Sequence, residues 1–281
     1  MRYIDRLRTY LPDWLDRDEL RRRMAAAPWL RAAPPRHLKD LVGPTNEVPS
    51  AIALTFDDGP DRTITPQLLQ VLADHDAHAT FFMCGRAAIR HPDVVRAVVA
   101  AGHSVGAHGW DHRPVRWLPP REWDRQIVRP LEALGALTGR PVRWFRPPWG
   151  AVDRSTVAAL RRRGVTTMLW SADGLDWQLD DPTDIADSAL RHLDAGGVVL
   201  LHDAVGDLLR EDATAQLPSN AHADRSATVA ATELLLRRLR STMTLCGLDA
   251  LKPRPLRYHT SARLPRRRPG IRQGDQARPV R

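Results

Sequence analysis

The residues best suited to chemistry begin with two adjacent carboxylates, Asp57 and Asp58, which follow an apolar run at residues 51–56. This pattern predicts a buried strand that ends at the acids, and Gly59-Pro60 predicts a sharp turn directly after it. Two neighbouring carboxylates repel each other unless a cation or a base neutralises one of them. The structural alternative is that one acid caps the helix predicted near Thr65-Pro66 while the other is solvated.

Two histidines, His108 and His112, lie four residues apart in the segment 102–112. One helical turn would place both imidazoles on the same side, and two histidines with one carboxylate form a common catalytic zinc site. The spacing by itself is also compatible with a surface turn that carries solvated histidines. Together with Asp57 and Asp58 at the end of another strand, it predicts a site of one carboxylate and two imidazoles.

Three further strand-like segments also end in residues that can do chemistry. Two of them have a structural alternative: the arginine could pair with a surface acid, and the single histidine could have a structural role. Five such endings at strand-to-loop junctions predict a common site. The three additional endings are Arg146 before the rigid turn 147–150, Asp173 and Asp176 with Trp177 after a segment ending at 171, and His202 after the apolar run 198–201.

The elements that must position these residues alternate between strand and helix from about residue 49. Near-continuous apolar strands separated by helices predict a parallel sheet covered by helices, either an open doubly wound sheet or a closed barrel. Both architectures build their sites at the carboxyl ends of the strands. The predicted strands are 51–57, 79–84, 103–107, 142–146, 166–171 and 197–201, with a weaker one near 243–251, and the predicted helices are 66–74, 87–101, 121–137, 154–163, 183–193 and 227–241.

Composition separates a globular body from two different ends. The net charge of +9 arises after residue 251, since residues 252–281 carry ten basic residues and one acid. We therefore expect a nearly neutral domain at 49–252 and a disordered, basic, Pro/Arg-rich tail at 253–281. Helical spacing of apolar residues predicts an amphipathic helical extension at 1–48. No nucleic-acid-binding motif accompanies the tail, so no specific nucleic-acid partner is expected.

The cysteine count and the hydropathy of the sequence argue against a disulfide-rich, secreted or membrane-spanning protein. Cys84 and Cys246 are the only cysteines, too few for a disulfide framework, and Cys84 lies in an apolar strand where a buried, inert thiol is expected. No apolar run follows the initial methionine as in a secretory signal, and none reaches the ~18 residues of a membrane span. As written, the chain is expected to be cytoplasmic, or secreted if the gene start is truncated. The oligomeric state is not predicted.

Over roughly residues 50–250 the sequence resembles the polysaccharide deacetylases with a NodB homology domain, carbohydrate esterase family 4. The resemblance runs through all five family motifs in order. It implies an α/β fold, an irregular (β/α) barrel of about seven units. The second motif departs at Gly109, where the family usually has Ser or Thr, and the third has Trp149 in place of the commoner Tyr. The matching segments are Thr55 to Pro60, His108 to His112, Arg146 to Gly150, Asp173 to Trp177, and Leu200 to His202.

The resemblance also implies a cofactor and a set of residue roles. The cofactor is a divalent metal ion, usually Zn²⁺ and sometimes Co²⁺. Its ligands would be Asp58, His108 and His112. The implied catalytic residues are Asp57 as general base, Arg146 as its ion-pair partner, His202 as general acid, and Asp173 as the hydrogen-bond partner of His202, with Asp176 as second choice. Trp149, Trp177 and Leu200 would contact substrate, the last two as walls of a pocket for the acetyl methyl group.

The expected function is removal of N-acetyl groups from an amino sugar or its oligomer or polymer, so an acetylated carbohydrate is the expected partner. The same chemistry would serve an O-acetyl carbohydrate esterase or a ring-amide hydrolase. A different class, a non-catalytic carbohydrate- or nucleic-acid-binding protein, would be favoured by loss of the site residues, all of which are present. Gly109 is expected to weaken metal binding or to change the local geometry, because glycine loosens a helix by up to ~1 kcal/mol.

Overall fold

The computed structural model describes Arg36 and residues 51–116, 118–191, 193–206 and 224–250. The predicted N-terminal extension, apart from Arg36, and the predicted basic tail lie outside these residues. In the part that is described, none of the helices combines the length and the apolar character that crossing a bilayer would require.

The centre of the fold is a parallel sheet with β1 in its middle. The strand order is β5-β4-β3-β2-β1-β7-β6, and β8 pairs with the start of β1. Every residue of β1 is buried, as expected for a parallel strand covered on both faces. The strands are β1 Ala51–Asp57, β2 Ala79–Met83, β3 Ser104–Ala107, β4 Trp144–Phe145, β5 Thr166–Thr167, β6 Ala172–Asp173, β7 Val198–His202 and β8 Thr244–Leu245.

The two edge strands, β5 and β6, are consecutive in the chain and lie at opposite ends of the sheet order. The predicted strand 166–171 is too long: only Thr166–Thr167 form a strand, β5, which pairs with β4, whereas β6 begins at Ala172 and pairs with β7. Residues 168–171 connect the two edges, and Ser171 already bonds β7: its N–H donates to the Val198 carbonyl at 3.0 Å. The right-handed twist of parallel strands curls the sheet and brings its edges together. The predicted irregular barrel is confirmed.

Helices cover the outside of the sheet. The predicted helix 87–101 is two helices in the structure, because the α-conformation is disfavoured at His91 before Pro92. The predicted helix 121–137 is interrupted by a π-helix at Asp124–Val128. The helices are α1 Ile64–Asp74, α2 Gly85–Arg90, α3 Pro92–Ala100, α4 Pro120–Trp123, α5 Arg129–Thr138, α6 Arg154–Arg162, α7 Pro182–Leu190 and α8 Ser226–Leu239.

The alternation of side chains along β1 divides the core in two. Ile52, Leu54 and Phe56 pack with the helices in the larger cluster, whereas Ala51 and Ala53 belong to a smaller cluster within the curled sheet. Successive side chains of a strand point to opposite faces, so Thr55 and Asp57 share the inner face with these alanines. The strand thus delivers one carboxylate to the inside of the barrel at its carboxyl end.

Candidate active site

The predicted site residues collect at the carboxyl edge of the sheet. Asp57 ends β1 and His202 ends β7, and the two residues are direct partners in the register of these strands. His108 directly follows β3, and Arg146 directly follows β4. Because the strands are parallel, these positions lie at one end of the barrel.

Three of these side chains form a compact, buried set. The Oδ1 atom of Asp58 lies 3.3 Å from Nε2 of His108 and 3.3 Å from Nε2 of His112. The expected helical turn is wrong, because the histidines flank a non-helical turn in which Gly109 and His112 have φ values of 75° and 59°. The turn nevertheless brings the two rings to a centroid distance of 5.2 Å.

The donor atoms of this set fit a divalent metal ion. Nδ1 of His108 lies 2.8 Å from the carbonyl of Arg146 and donates its proton there, so Nε2 of a neutral His108 presents a lone pair to Asp58. Oδ1 of Asp58 is buried, and no described residue donates a hydrogen bond to it. Two facing acceptors repel each other unless a cation lies between them. A tetrahedral ion with bonds of 2.0–2.1 Å separates its ligands by about 3.4 Å, close to the spacing found here.

Electrostatics also keep Asp58 ionised. Burial raises its pKa, but the positive charges that His112, His108 and His202 carry when they are protonated more than offset this, so the pKa of Asp58 lies well below its usual range. A cation bound between neutral histidines would favour the ionised carboxylate in the same way. Its second oxygen, Oδ2, accepts a hydrogen bond of 2.8 Å from the backbone N–H of Gly206. The carboxylate is therefore oriented from behind and free to bind through Oδ1.

The other carboxylate, Asp57, is held by an arginine inside the barrel. Nη1 of the fully buried Arg146 donates to Oδ1 of Asp57 at 2.8 Å and to the Thr55 hydroxyl at 2.7 Å. The rest of the guanidinium donates to the carbonyls of Met168 and Leu169, which belong to the crossing between the sheet edges. Asp57 is thus paired with Arg146. Its Oδ2 lies 3.7 Å from Nε2 of His108, so it adjoins the group formed by Asp58 and the two histidines.

The hydrogen-bond partner of His202 differs from the prediction. The resemblance favours Asp173 in this place, but Asp176 bonds both Nδ1 of His202 and its backbone N–H, each at 2.7 Å. Oδ1 of Asp173 instead accepts the N–H of Leu175. Burial lowers the pKa of His202, but the adjacent Asp176 carboxylate outweighs it and raises the pKa to about 9. Burial raises the pKa of Asp173 to about 6.

The three predicted substrate contacts lie near the site but differ in exposure. Trp149 is half-buried, and its ring centroid lies 5.1 Å from that of His112. Trp177 and Leu200 are buried, with 9% and 4% of their surface exposed, and Leu200 is paired with Asp173 in the sheet register. Their assignment to an acetyl pocket stays a prediction.

Two further residues support the site and are not among the predicted site residues. Asp203, fully buried, accepts the N–H of Gly59 at 2.9 Å and the hydroxyl of Thr65 at 2.6 Å, which holds the turn after Asp58. Its position beside His202 is a signal that could have found it. Gly206 has no such signal, because it acts through its backbone N–H and through the absence of a side chain. A Cβ there would lie 2.5 Å from Cγ of His112.

Comparisons with known proteins point to one family. Residues 45–168 match the family profile described as "Polysaccharide deacetylase". A peptidoglycan-N-acetylglucosamine deacetylase PgdA of Listeria monocytogenes is 36% identical over 162 residues, covering 56% of this chain and 34% of that protein. A chitooligosaccharide deacetylase of Azorhizobium caulinodans is 34% identical over 155 residues, covering 55% of this chain and 74% of that protein.

Similarity to solved structures points to the same family. The crystal structure of a peptidoglycan N-acetylglucosamine deacetylase, Bc1960, superposes with a TM-score of 0.62 at 27% identity, covering 71% of this chain and 86% of that chain. The match to the Listeria relative spans only about a third of that protein's length. Parts of that relative therefore have no counterpart in the alignment.

Proposed function

Since the chain belongs to the polysaccharide deacetylase family, we propose that it is a metal-dependent hydrolase that removes N-acetyl groups from an amino-sugar oligomer or polymer. The domain that carries this activity would be residues 49–252. The names of the two relatives, which act on peptidoglycan N-acetylglucosamine and on chitooligosaccharides, support an N-acetylglucosamine-containing substrate. The same acyl chemistry would also serve an O-acetyl ester, and the substrate panel below separates the two.

One observation carries this proposal. An Asp58–His108–His112 set with the spacing of metal ligands lies next to a second carboxylate, Asp57, that is paired with a buried arginine. A structural Asp57–Arg146 ion pair would not need beside it the carboxylate of Asp58, whose buried Oδ1 atom has no hydrogen-bond donor among the described residues. The arrangement matches what hydrolysis of an amide requires, namely an ion site and an unligated base beside it.

The ion is proposed to be Zn²⁺, with Co²⁺ as an alternative, held by Asp58, His108 and His112. When bound, it would polarise the acetyl carbonyl and lower the pKa of water at the site. Asp57 would accept the proton of the attacking water through its Oδ2 atom, since its Oδ1 atom is engaged by Arg146.

His202 is proposed to protonate the leaving amine. Its Nδ1 is engaged by Asp176, so Nε2 is the nitrogen available to the substrate. With a pKa raised to about 9 by Asp176, against the effect of burial, the imidazolium form dominates at neutral pH, as a general acid requires. Trp149, beside His112, is proposed to contact the sugar ring of the substrate.

Acetate release tests the proposal. The substrates are N-acetylglucosamine oligomers, peptidoglycan and acetylxylan, each with and without a chelator. We expect release from the N-acetylated substrates, lost with chelator and restored by Zn²⁺. Asp57→Asn should abolish turnover while the metal is retained, whereas His112→Ala should lose both. Undiminished release by Asp57→Asn would contradict the base assignment, and release from acetylxylan alone would favour the esterase.

A further inference from the structure

We propose that Gln126, presented by the π-helix, is a positioning residue for the turn between the two histidines, and that its pairing with Asp111 sets the metal affinity of the site. The inference rests on the proposed metal site. Gln126 hydrogen-bonds the segment between the two histidines. It acts through the two residues that precede His112.

Gln126 uses both ends of its amide on this turn. It is fully buried; its Oε1 accepts the N–H of Trp110 at 3.2 Å, and its Nε2 donates to Oδ1 of Asp111 at 2.7 Å. The other oxygen of Asp111, Oδ2, accepts from Nη2 of Arg125 at 2.8 Å. Asp111 is itself fully buried and immediately precedes His112 in the chain. Its position therefore fixes the backbone that leads into His112.

The π-helix explains how neighbouring residues reach the same carboxylate. Consecutive side chains of an α-helix point about 100° apart and do not converge on one group. At Asp124–Val128 the helix widens, and Arg125 and Gln126 bind the two oxygens of Asp111. Such local π-helices are frequent at functional sites, because they re-aim side chains at a cost in hydrogen bonding.

The turn needs this support because its backbone is strained. His112 has a φ of 59°, a left-handed conformation that costs a non-glycine residue about 1–2 kcal/mol. Such conformations persist only when the surroundings over-determine them. The opposite side of the turn is bonded by α2, whose Gly85 and Arg86 N–H groups donate to the carbonyls of Gly109 and Trp110, each at 2.9 Å. Gln126 holds the other side of the turn, next to His112, through its bonds to Trp110 and Asp111.

The test exchanges the polar groups of the pair. Gln126→Glu places two carboxylates against each other, and Asp111→Asn places an amide donor against either Gln126 or Arg125. In the double variant Asp111→Asn/Gln126→Glu, the new glutamate accepts from both the Trp110 N–H and the new asparagine amide, while the asparagine oxygen accepts from Arg125. The number of hydrogen bonds and the total charge are then restored, with the negative charge moved from position 111, where it faces Arg125 and Arg113, to position 126.

The readouts are the dissociation constant for Co²⁺ or Zn²⁺ in the full chain, by competition with a chelator, and the visible spectrum of the Co²⁺ form. Each single variant should bind about 10- to 100-fold more weakly, as for other residues that orient metal ligands, and the double variant should recover most of the loss. Thr80→Val is the control: it removes a buried hydroxyl that accepts the N–H of Leu248, outside the turn between the histidines, and should lower stability without changing the affinity.

The outcomes separate this inference from the proposed function. If the wild-type chain binds no metal, the metal site fails and the inference falls with it. If the wild type binds and both single variants bind equally tightly with unchanged spectra, the metal site stands and the role of Gln126 is overturned. Equal weakening in Thr80→Val, or a double variant no better than the singles, would also overturn it.

Discussion

At the scale of single residues, the decisive choice is which acid faces His202. Asp176 accepts from the His202 backbone N–H and ring and also from the hydroxyl of Thr228 at 2.8 Å, so its carboxylate is fully engaged. Asp173, three residues earlier, is turned toward the N–H of Leu175. The acid that bonds the imidazole is therefore the one that sets its charge.

We predict that Asp176→Asn lowers the alkaline limit of activity. His202 has a raised pKa of about 9, so its protonated form is present at lower pH and is lost as the pH rises through that value. Without the carboxylate, the main effect that opposes burial is lost, and the pKa should fall by about 1–3 units. The measurement is the pH profile of kcat/KM.

Asp173→Asn is the matched control for this prediction. Asp173 bonds the N–H of Leu175 and interacts with His202 only through space, so its loss should move the alkaline limit much less than the loss of Asp176 does. A limit that moves in Asp173→Asn but stays in Asp176→Asn would contradict the assignment.

At the scale of elements, the turn after β3 explains the glycine at position 109. The sequence predicts that this departure from Ser or Thr loosens a helix, but the segment is a turn and Gly109 has a φ of 75°. Glycine adopts this conformation without steric cost. A Cβ at this position would also lie 3.2 Å from Cγ of Pro148. Glycine therefore suits the turn as this chain builds it.

We predict that Gly109→Ala weakens metal binding and also lowers the free energy of unfolding by about 1–2 kcal/mol. Gly139, which ends α5 with a φ of 69°, offers the matched control, because a Cβ added there would meet no heavy atom within 4 Å. Gly139→Ala should lose similar stability in urea denaturation of the metal-free protein. If Gly139→Ala weakens metal binding as much as Gly109→Ala does, the effect is global and the turn has no special role.

At the scale of the whole molecule, the site joins parts of the chain that are far apart in sequence. Asp58 follows β1, the histidines follow β3, and Gly206 comes from the loop after β7. Arg146 adds a link from β4 to the crossing between the edge strands. An ion held by Asp58 and the two histidines would therefore bind the folded state and not the unfolded chain.

We predict that metal raises the thermal stability of the wild-type protein. At a free metal concentration 100 times the dissociation constant, the gain is about 2.7 kcal/mol. For a domain of this size, that corresponds to a rise of about 5–10 °C in Tm. The measurement is thermal unfolding with Zn²⁺ and with chelator. His112→Ala should show no such difference, and an identical Tm for the wild type under both conditions would contradict the site.

Much of this protein could be predicted from its sequence. Buried strands ending in Asp57, His108, Arg146 and His202 predict that these groups meet, because the carboxyl ends of parallel strands share one edge. The alternation of strand and helix predicts the class of fold. The alternation left open whether the sheet is open or closed, and the resemblance to the family implied the irregular barrel. These features depend on residue type and spacing, which the sequence states directly.

The tertiary structure decided the rest. It selected Asp176 over Asp173 for His202, divided residues 166–173 between two sheet edges, and brought the Gly206 N–H to Asp58. A hydrogen bond depends on the direction of two groups in space, and a backbone N–H is the same for every residue but proline. Residue type and spacing do not determine such hydrogen-bond partners. They are determined by the curvature of the sheet and by the positions of the loops at its carboxyl edge.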